Sequence, residues 1–165
     1  MINQHSELIR KIEIAIITPC GVLMQMKRTD NNQFRMWGCV LEGDETPIQG
    51  AINVLQEEAG LAVDANDLTI VNIYNSFFEG KDDLISKTEI YRFILEFDYL
   101  PTLNINPEYT GWIVFSKTEV TESVVECQRE FIKTLVEKSF PQQQVFIKKN
   151  IINEDILQQL KNRPR

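Results

Sequence analysis

The chain of 165 residues carries 24 acidic and 17 basic side chains, which gives a formal net charge of −7 at pH 7. This balance argues against nonspecific attraction to nucleic acid or to an anionic membrane, because both favour a basic surface. Hydrophobic residues make up 43% of the chain and charged residues 25%, as in an ordinary globular domain with its own core. No leader of basic and then apolar residues opens the sequence, and no apolar run is long enough to span a membrane, so we expect a cytoplasmic protein.

Two short apolar runs near the start predict a β-hairpin. Residues 1–8 are expected to form a loose lead-in. Ile12–Thr18 and Val22–Lys27 are rich in aliphatic residues and flank a turn at residues 19–21, an arrangement typical of paired strands. After a polar stretch, Phe34–Leu41 is predicted to form a short third strand.

Later runs predict a second hairpin, another strand and a helix. Leu68–Phe78 and Lys87–Phe97 are rich in Ile, Val, Tyr and Phe and are expected to pair with each other. Asp98–Pro107 contains two prolines and two asparagines, which favour a loop, and Tyr109–Ser116 follows as a strand. The next apolar residues recur at helical spacing: Val124, Val125, Phe131, Ile132, Leu135 and Val136.

One amphipathic helix is predicted between Thr46 and Gly60. Thr46 suits the N-cap, with Gln49 as its capping-box partner, and Pro47 suits the first helical position. Gly60 supplies the left-handed stop. The predicted buried stripe consists of Ile48, Ala51, Ile52, Leu55 and Ala59.

Acidic residues flank this helix at both ends. Glu42 and Glu45 lie in the loop before it, and Glu57 and Glu58 lie in its last turn. Such oxygen ligands suit a divalent cation. Val54 lies one turn before Glu57 and Glu58 and about 120° from the centre of the apolar stripe. We therefore expect Val54 to lie outside the main core, with burial beneath another loop as the alternative.

The stretch Trp37–Leu61 resembles the Nudix box, in which Gly, five residues, Glu and seven residues precede Arg-Glu-aliphatic-any-Glu-Glu-any-Gly-aliphatic. Three positions depart from the pattern, because Cys39 replaces the first glycine and Asn53-Val54 replace Arg-Glu. The run GWIVFSKTEV is also similar to the C-terminal half of Nudix domains. The residues in register with the box are Glu45, Leu55, Glu57, Glu58, Gly60 and Leu61.

The resemblance implies an α/β/α sandwich, which is an α+β fold with a mixed central sheet flanked by helices. It also implies that Mg²⁺ or Mn²⁺ is the cofactor. Glu57 and Glu58 would then be catalytic residues and metal ligands. Val54 stands where the third glutamate of the metal cage belongs.

Three other glutamates are candidates for the missing group. Glu45 is a candidate catalytic residue, although it also suits the positive end of the helix dipole. Glu42 and Glu108 are candidate metal ligands. Glu108 comes shortly before Trp112, where members of the family often carry such a residue.

Two arginines and two aromatic residues are candidates for substrate binding. Arg28 and Arg35 are placed to meet phosphates near the box, with solvated surface charge as the alternative. Phe78 and Trp112 are candidates for the lining of a nucleotide pocket, with core packing as the alternative.

Residues 1–140 are predicted to form the Nudix-like domain. Residues 141–165 are predicted to form an extension that packs on the domain or on a partner, with a homodimer as one form. The resemblance implies a hydrolase that cleaves a pyrophosphate bond in a nucleoside di- or triphosphate derivative, with activity weakened by the altered box. The alternative is a catalytically inactive Nudix-fold module that binds a nucleotide-like ligand or a protein partner. Neither hypothesis involves nucleic acid or a membrane.

The three cysteines, Cys20, Cys39 and Cys127, are odd in number and widely spaced. This pattern predicts neither a disulfide framework nor a zinc site. We expect all three to be buried as small hydrophobic residues.

Overall fold

The computed structural model describes residues 6–27, 33–79, 85–103, 109–114 and 124–139. The strands and helices in these ranges are β1 (Ser6–Thr18), β2 (Gly21–Lys27), β3 (Trp37–Val40), α1 (Pro47–Ala59), β4 (Leu68–Glu79), β5 (Ile85–Glu96), β6 (Tyr109–Val114) and α2 (Arg129–Ser139).

A mixed sheet lies at the centre of the described residues, in the order β4-β5-β1-β2-β6 with β3 paired to β1. β1 and β5 run parallel, whereas the other strand pairs are antiparallel. The β1–β2 and β4–β5 pairs are the two hairpins predicted from the sequence. α1 contributes to the core on one face of the sheet and α2 to the core on the other. The predicted α+β fold, with a mixed sheet between helices, is therefore confirmed.

β1 begins at Ser6, within the stretch that was expected to be a loose lead-in. Its parallel register with β5 runs from Ser6 opposite Ile85 to Ile17 opposite Glu96. Backbone pairing with β5 thus orders a polar stretch whose side chains give no strand signal of their own. The central strand is longer than predicted for this reason.

Side chains of β1 alternate between the two cores. Ile12 and Ile14 pack on the face that α1 covers, together with Leu55. Ala15 and Ile17 pack on the opposite face, in the cluster to which α2 contributes. This period of two follows from strand geometry, and it makes β1 part of both layers.

Buried polar groups join the start of α2 to the sheet. Arg92 donates from Nε to Oε1 of Glu13 over 2.9 Å and from Nη2 to the carbonyl of Cys127 over 3.2 Å. Gln128 donates from Nε2 to Oε2 of Glu13. Its Oε1 accepts a hydrogen bond from the backbone N–H of Met36 at 2.7 Å. The Glu13 carboxylate therefore has two donors in a region that is largely shielded from solvent.

α1 has the caps that the sequence predicts. The Thr46 hydroxyl accepts from the N–H of Gln49, and the Gln49 side chain accepts from the N–H of Thr46, both at 3.2 Å. Pro47 is the first helical residue, and Gly60 ends the helix with a φ of 67°. The beginning and end of α1 are therefore confirmed.

The cysteines differ in exposure. Cys20 is buried, Cys39 is half-buried and Cys127 is exposed. The prediction of burial is wrong for Cys127, because its short 3-10 turn presents the backbone carbonyl, and not the side chain, to Arg92. Within the described ranges, neither helix has both the length and the apolar character needed to cross a bilayer.

Candidate active site around the end of α1

Val54 is a core residue. It is 4% exposed and belongs to the same hydrophobic cluster as Ala51 and Leu55. The prediction that Val54 lies outside the core is therefore wrong. Ordinary packing explains an aliphatic residue at this position without reference to a metal cage.

The contact between Gly50 and Leu41 explains why the predicted stripe is misplaced. A Cβ atom at position 50 would lie 2.3 Å from Cδ2 of Leu41, so α1 packs closely at this glycine. Gly50 is buried, whereas Ile48 and Ile52 are only half-buried. The packed face is centred roughly 60° from the predicted stripe, and Val54 falls inside it. The apolar stripe was predicted from the large hydrophobic side chains, and a close contact at a glycine leaves no signal in such a pattern.

The two glutamates in the last turn of α1 have different surroundings. Glu57 is exposed, whereas Glu58 is half-buried. Glu58 follows Val54 by four residues and so lies on the packed side of the helix. Its Oε2 accepts a hydrogen bond from Nε2 of Gln25 at 3.3 Å. Because consecutive helical residues point about 100° apart, Glu57 faces solvent and Glu58 faces the sheet.

Gln25 on β2 is the polar residue of this site that sequence reasoning missed. It is 2% exposed, and its Nε2 also donates to the carbonyl of Met36 over 3.3 Å. Its Oε1 has no hydrogen-bond partner in the part of the chain that the structure describes. A buried acceptor without a donor costs roughly 1–3 kcal/mol. A polar residue in the strand GVLMQMK, two positions after Leu23, was the available signal.

Glu45 and Glu42 lie in the loop before α1, as predicted. Glu45 is half-buried, and its Oε2 accepts a hydrogen bond from Nδ2 of Asn53 at 3.1 Å. Glu42 is exposed. Asn53, which replaces the arginine of the box, thus connects the helix to this acidic loop.

The pKa of the Cys39 thiol is affected by the charges of these acids. Its burial raises its pKa, and the charges of Glu45, Glu58, Glu57 and Glu42 raise it further, from an ordinary 9.0 to about 11. All four carboxylates therefore act on one point at the end of β3.

A cavity of about 240 Å³ borders the same point. Lys11, Arg35, Cys39 and Gln128 are among its lining residues. Arg35 lies opposite Gln25, and their backbones exchange hydrogen bonds of 2.9 and 2.7 Å. The cavity therefore has basic residues in its lining and adjoins the acidic end of β3.

Several candidate residues lie outside what can be described. Arg28, Glu108 and residues 141–165 fall outside the described ranges. Phe78 lies in β4 and Trp112 lies in β6 opposite Met24, and only their backbones are described. Their roles remain predictions.

The donor chemistry of the site suits Mg²⁺ or Mn²⁺, since carboxylate oxygens are preferred ligands of hard cations. Within the described residues, however, no three or more His, Cys, Asp and Glu side chains are grouped so that they could hold a metal ion. The described carboxylates therefore do not fit a complete metal cage by themselves.

Comparison with known sequences shows a similarity over part of the chain. No protein-family model matches the chain. Over 65 residues it is 37% identical to a MutT-like protein of Streptomyces ambofaciens. The match spans 39% of this chain and only 41% of that protein.

Solved structures match over most of the described fold. The dihydroneopterin triphosphate pyrophosphohydrolase of E. coli superposes with a TM-score of 0.62 at 18% identity, covering 78% of this chain and 95% of that chain. A bifunctional NMN adenylyltransferase/ADP ribose pyrophosphatase of Francisella tularensis, complexed with AMP and a Mn ion, gives 0.56 at 17% identity, covering 79% of this chain and 41% of that chain. At these identities the likeness concerns the fold. The chain has the Nudix fold, which confirms the resemblance seen in its sequence.

Proposed function

We propose that the chain is a Nudix-type hydrolase that cleaves a pyrophosphate bond in a nucleoside di- or triphosphate derivative. The observation that carries this proposal is that Glu58 at the end of α1 accepts a hydrogen bond from Gln25 of the sheet, while Asn53 of the same helix holds Glu45 of the preceding loop. A cavity with Lys11 and Arg35 in its lining adjoins the end of β3. Names of similar proteins support the same class of reaction, because two of them are described as pyrophosphatases or pyrophosphohydrolases.

In the proposed reaction, water attacks one phosphorus atom of the pyrophosphate. The bond from that phosphorus to the bridging oxygen breaks, the bridging oxygen leaves with the other phosphate, and one of the proposed catalytic carboxylates accepts the proton that the water loses. Arg35 and Lys11 offset negative charge on the substrate. Glu58, which is fixed by a hydrogen bond, and Glu57 are the proposed catalytic carboxylates, with Glu45 in the adjoining loop.

The cavity volume favours a partly exposed substrate. Sites that bury most of a drug-sized ligand have volumes of about 300–1,000 Å³, and this cavity is smaller, at about 240 Å³. It suits a nucleobase or a phosphate chain more than a whole dinucleotide. We therefore propose that part of the nucleotide remains outside the cavity.

We propose that Mg²⁺ or Mn²⁺ enters with the nucleotide. Mg²⁺ in proteins commonly uses one or two carboxylates together with substrate phosphates and water. Of the four candidate ligands, Glu57, Glu58, Glu42 and Glu108, one or two would hold the ion together with the substrate phosphates. The ion would offset charge on the phosphate oxygens when it is bound.

The test is the formation of nucleoside mono- or diphosphates from nucleoside triphosphates, dinucleotides and nucleotide sugars, each with Mg²⁺ or Mn²⁺. We expect turnover of at least one nucleotide that stops with EDTA. The lack of a three-carboxylate group in the described residues keeps the binding module as the second candidate. Absence of turnover, combined with a nucleotide-induced rise in Tm that does not depend on metal, would favour that module.

We also propose that the protein forms a homodimer through β4, which lies at one end of the strand order of the described sheet. Four apolar side chains of this strand are exposed: Ile70, Val71, Ile73 and Tyr74. Exposed apolar edge strands favour pairing with another chain. Sedimentation equilibrium should give twice the monomer mass, and Ile73→Lys should shift the population to monomer. A wild-type protein that is monomeric at 100 µM, a concentration of the order at which weak dimers assemble, contradicts this assignment.

A further inference from the structure

We propose that Gln25 is a positioning residue that holds the Glu58 carboxylate for the reaction. This inference rests on the proposed function in that Glu58 takes part in the hydrolysis. Gln25 contacts the acidic end of α1 from the sheet through the 3.3 Å hydrogen bond from its Nε2 to Oε2 of Glu58. Residue 25 lies outside the stretch Trp37–Leu61 that resembles the Nudix box.

The surroundings of Gln25 are those of a core residue. The preceding residue with the same orientation, Leu23, is fully buried in the cluster beneath α1. An aliphatic side chain at position 25 would need no hydrogen-bond partners. The amide instead carries a buried Oε1 that has no partner within the described ranges. A side chain that is less than ideal for packing is expected where function requires it.

Gln25 is itself anchored, as a positioning residue must be. Its Nε2 also donates to the carbonyl of Met36 over 3.3 Å. The N–H of Met36 in turn donates to Oε1 of the buried Gln128 over 2.7 Å. Hydrogen bonds therefore connect the start of α2, through Met36 and Gln25, to the carboxylate at the end of α1.

The backbone of Gln25 is also paired with the backbone of Arg35. The backbone N–H of Gln25 donates to the carbonyl of Arg35 over 2.9 Å, and the N–H of Arg35 donates back over 2.7 Å. Arg35 lines the cavity proposed for the phosphorylated ligand. The backbone pairing therefore places Arg35 beside Gln25 in the sheet.

The test compares Gln25→Met, Glu58→Gln and the double variant. Methionine approximates the length of glutamine but cannot donate a hydrogen bond to a carboxylate. We expect Gln25→Met to lower kcat on the best nucleotide about tenfold with KM changed less than twofold. In the Glu58→Gln background the same change should have less than a twofold effect on kcat, because both residues act through one group. Met24→Leu, on the opposite face of β2, is the packing control and should leave kcat unchanged.

Urea unfolding of the wild-type protein, Gln25→Met, Glu58→Gln and the double variant tests this inference separately from the proposed function. We expect the effects of Gln25→Met and Glu58→Gln on the unfolding midpoint to be non-additive, because the two side chains are in contact. If the unfolding effects are non-additive but no variant or parent shows turnover, the proposed hydrolase is wrong. The Gln25–Glu58 contact would then be purely structural, and the proposed positioning role would be wrong. Equal kcat losses from Gln25→Met with Glu58 present and absent would also overturn it.

Discussion

Asn53 donates a hydrogen bond from Nδ2 to Oε2 of Glu45 over 3.1 Å. The residue that replaces the arginine of the Nudix box thus holds an acid of the preceding loop, eight positions earlier in the chain. Glu45 also contributes to the electrostatic environment of Cys39. The altered box therefore retains a polar contact between its helix and its acidic loop.

Replacing Asn53 by Asp tests this contact. A second carboxylate would face Glu45, and we expect the free energy of unfolding to fall by about 0.5 kcal/mol at low salt, since both groups are near the surface. Most of this loss should disappear in 1 M NaCl, where charges are screened within about 3 Å. Urea titrations at both salt concentrations measure it, with Asn53→Ser as the uncharged control. A loss that is the same at both salt concentrations would show that the two residues do not meet.

Val54→Glu tests the burial of Val54. A carboxylate introduced among core side chains lacks partners, so we expect the free energy of unfolding to fall by about 2–4 kcal/mol. The exposed neighbour offers a matched control, and Asn53→Glu should cost less than Val54→Glu by at least about 1 kcal/mol. A Val54→Glu protein as stable as the parent would place residue 54 at the surface, where the sequence alone put it.

The Cys39 thiol offers a measurement of the acid cluster that does not depend on turnover. With a pKa of about 11, roughly one molecule in 1,000 carries the thiolate at pH 8. In a Cys20→Ser, Cys127→Ser background, the rate of alkylation by iodoacetamide should therefore be low at pH 8 and rise up to about pH 11.

Glu45→Gln should move this alkylation profile to lower pH, because the negative charge of Glu45 raises the pKa of the thiol. Bound Mg²⁺ should act in the same direction by offsetting the acids. Glu96→Gln on β5 is the control with no expected effect. A profile that already levels off below pH 9 would mean that Cys39 is neither desolvated nor near these acids.

The ion pair of Arg92 and Glu13 is expected to be important for stability. Their side chains are 11% and 12% exposed, so removal of one partner leaves a charge in a poorly solvated place. We expect Arg92→Met to lower the free energy of unfolding by about 2–4 kcal/mol. The double variant with Glu13→Leu should recover part of this loss. If urea unfolding shows that the stability losses of Arg92→Met and Glu13→Leu simply add in the double variant, the two side chains do not stabilise each other.

The strands and α1 could be predicted because their signals are local. Thr46, Pro47, Gln49 and Gly60 act within one turn of the helix, and each occupies its expected place. β1 was predicted too short, because its first residues are ordered by a partner strand about 80 positions later in the chain. Pairing between distant segments leaves little trace in the residues being paired.

The candidate site could be predicted in composition but not in arrangement. The resemblance identified Glu57, Glu58 and Glu45 as site residues, and the structure gives Glu58 and Glu45 each a hydrogen bond that fixes its carboxylate. The orientation of α1 depends on Gly50 packing against Leu41, and no pattern of hydrophobic residues contains that contact.

Hydrolysis by carboxylate variants tests the central claim most directly. With the best nucleotide and saturating Mg²⁺, we expect Glu57→Gln and Glu58→Gln each to lower kcat by at least about 100-fold, the order of effect of losing a catalytic acid–base group. Glu96→Gln, which removes an exposed glutamate on β5, should leave kcat unchanged. If both helix variants turn over the nucleotide at the wild-type rate, the end of α1 is not the active site and the proposed hydrolase mechanism is wrong.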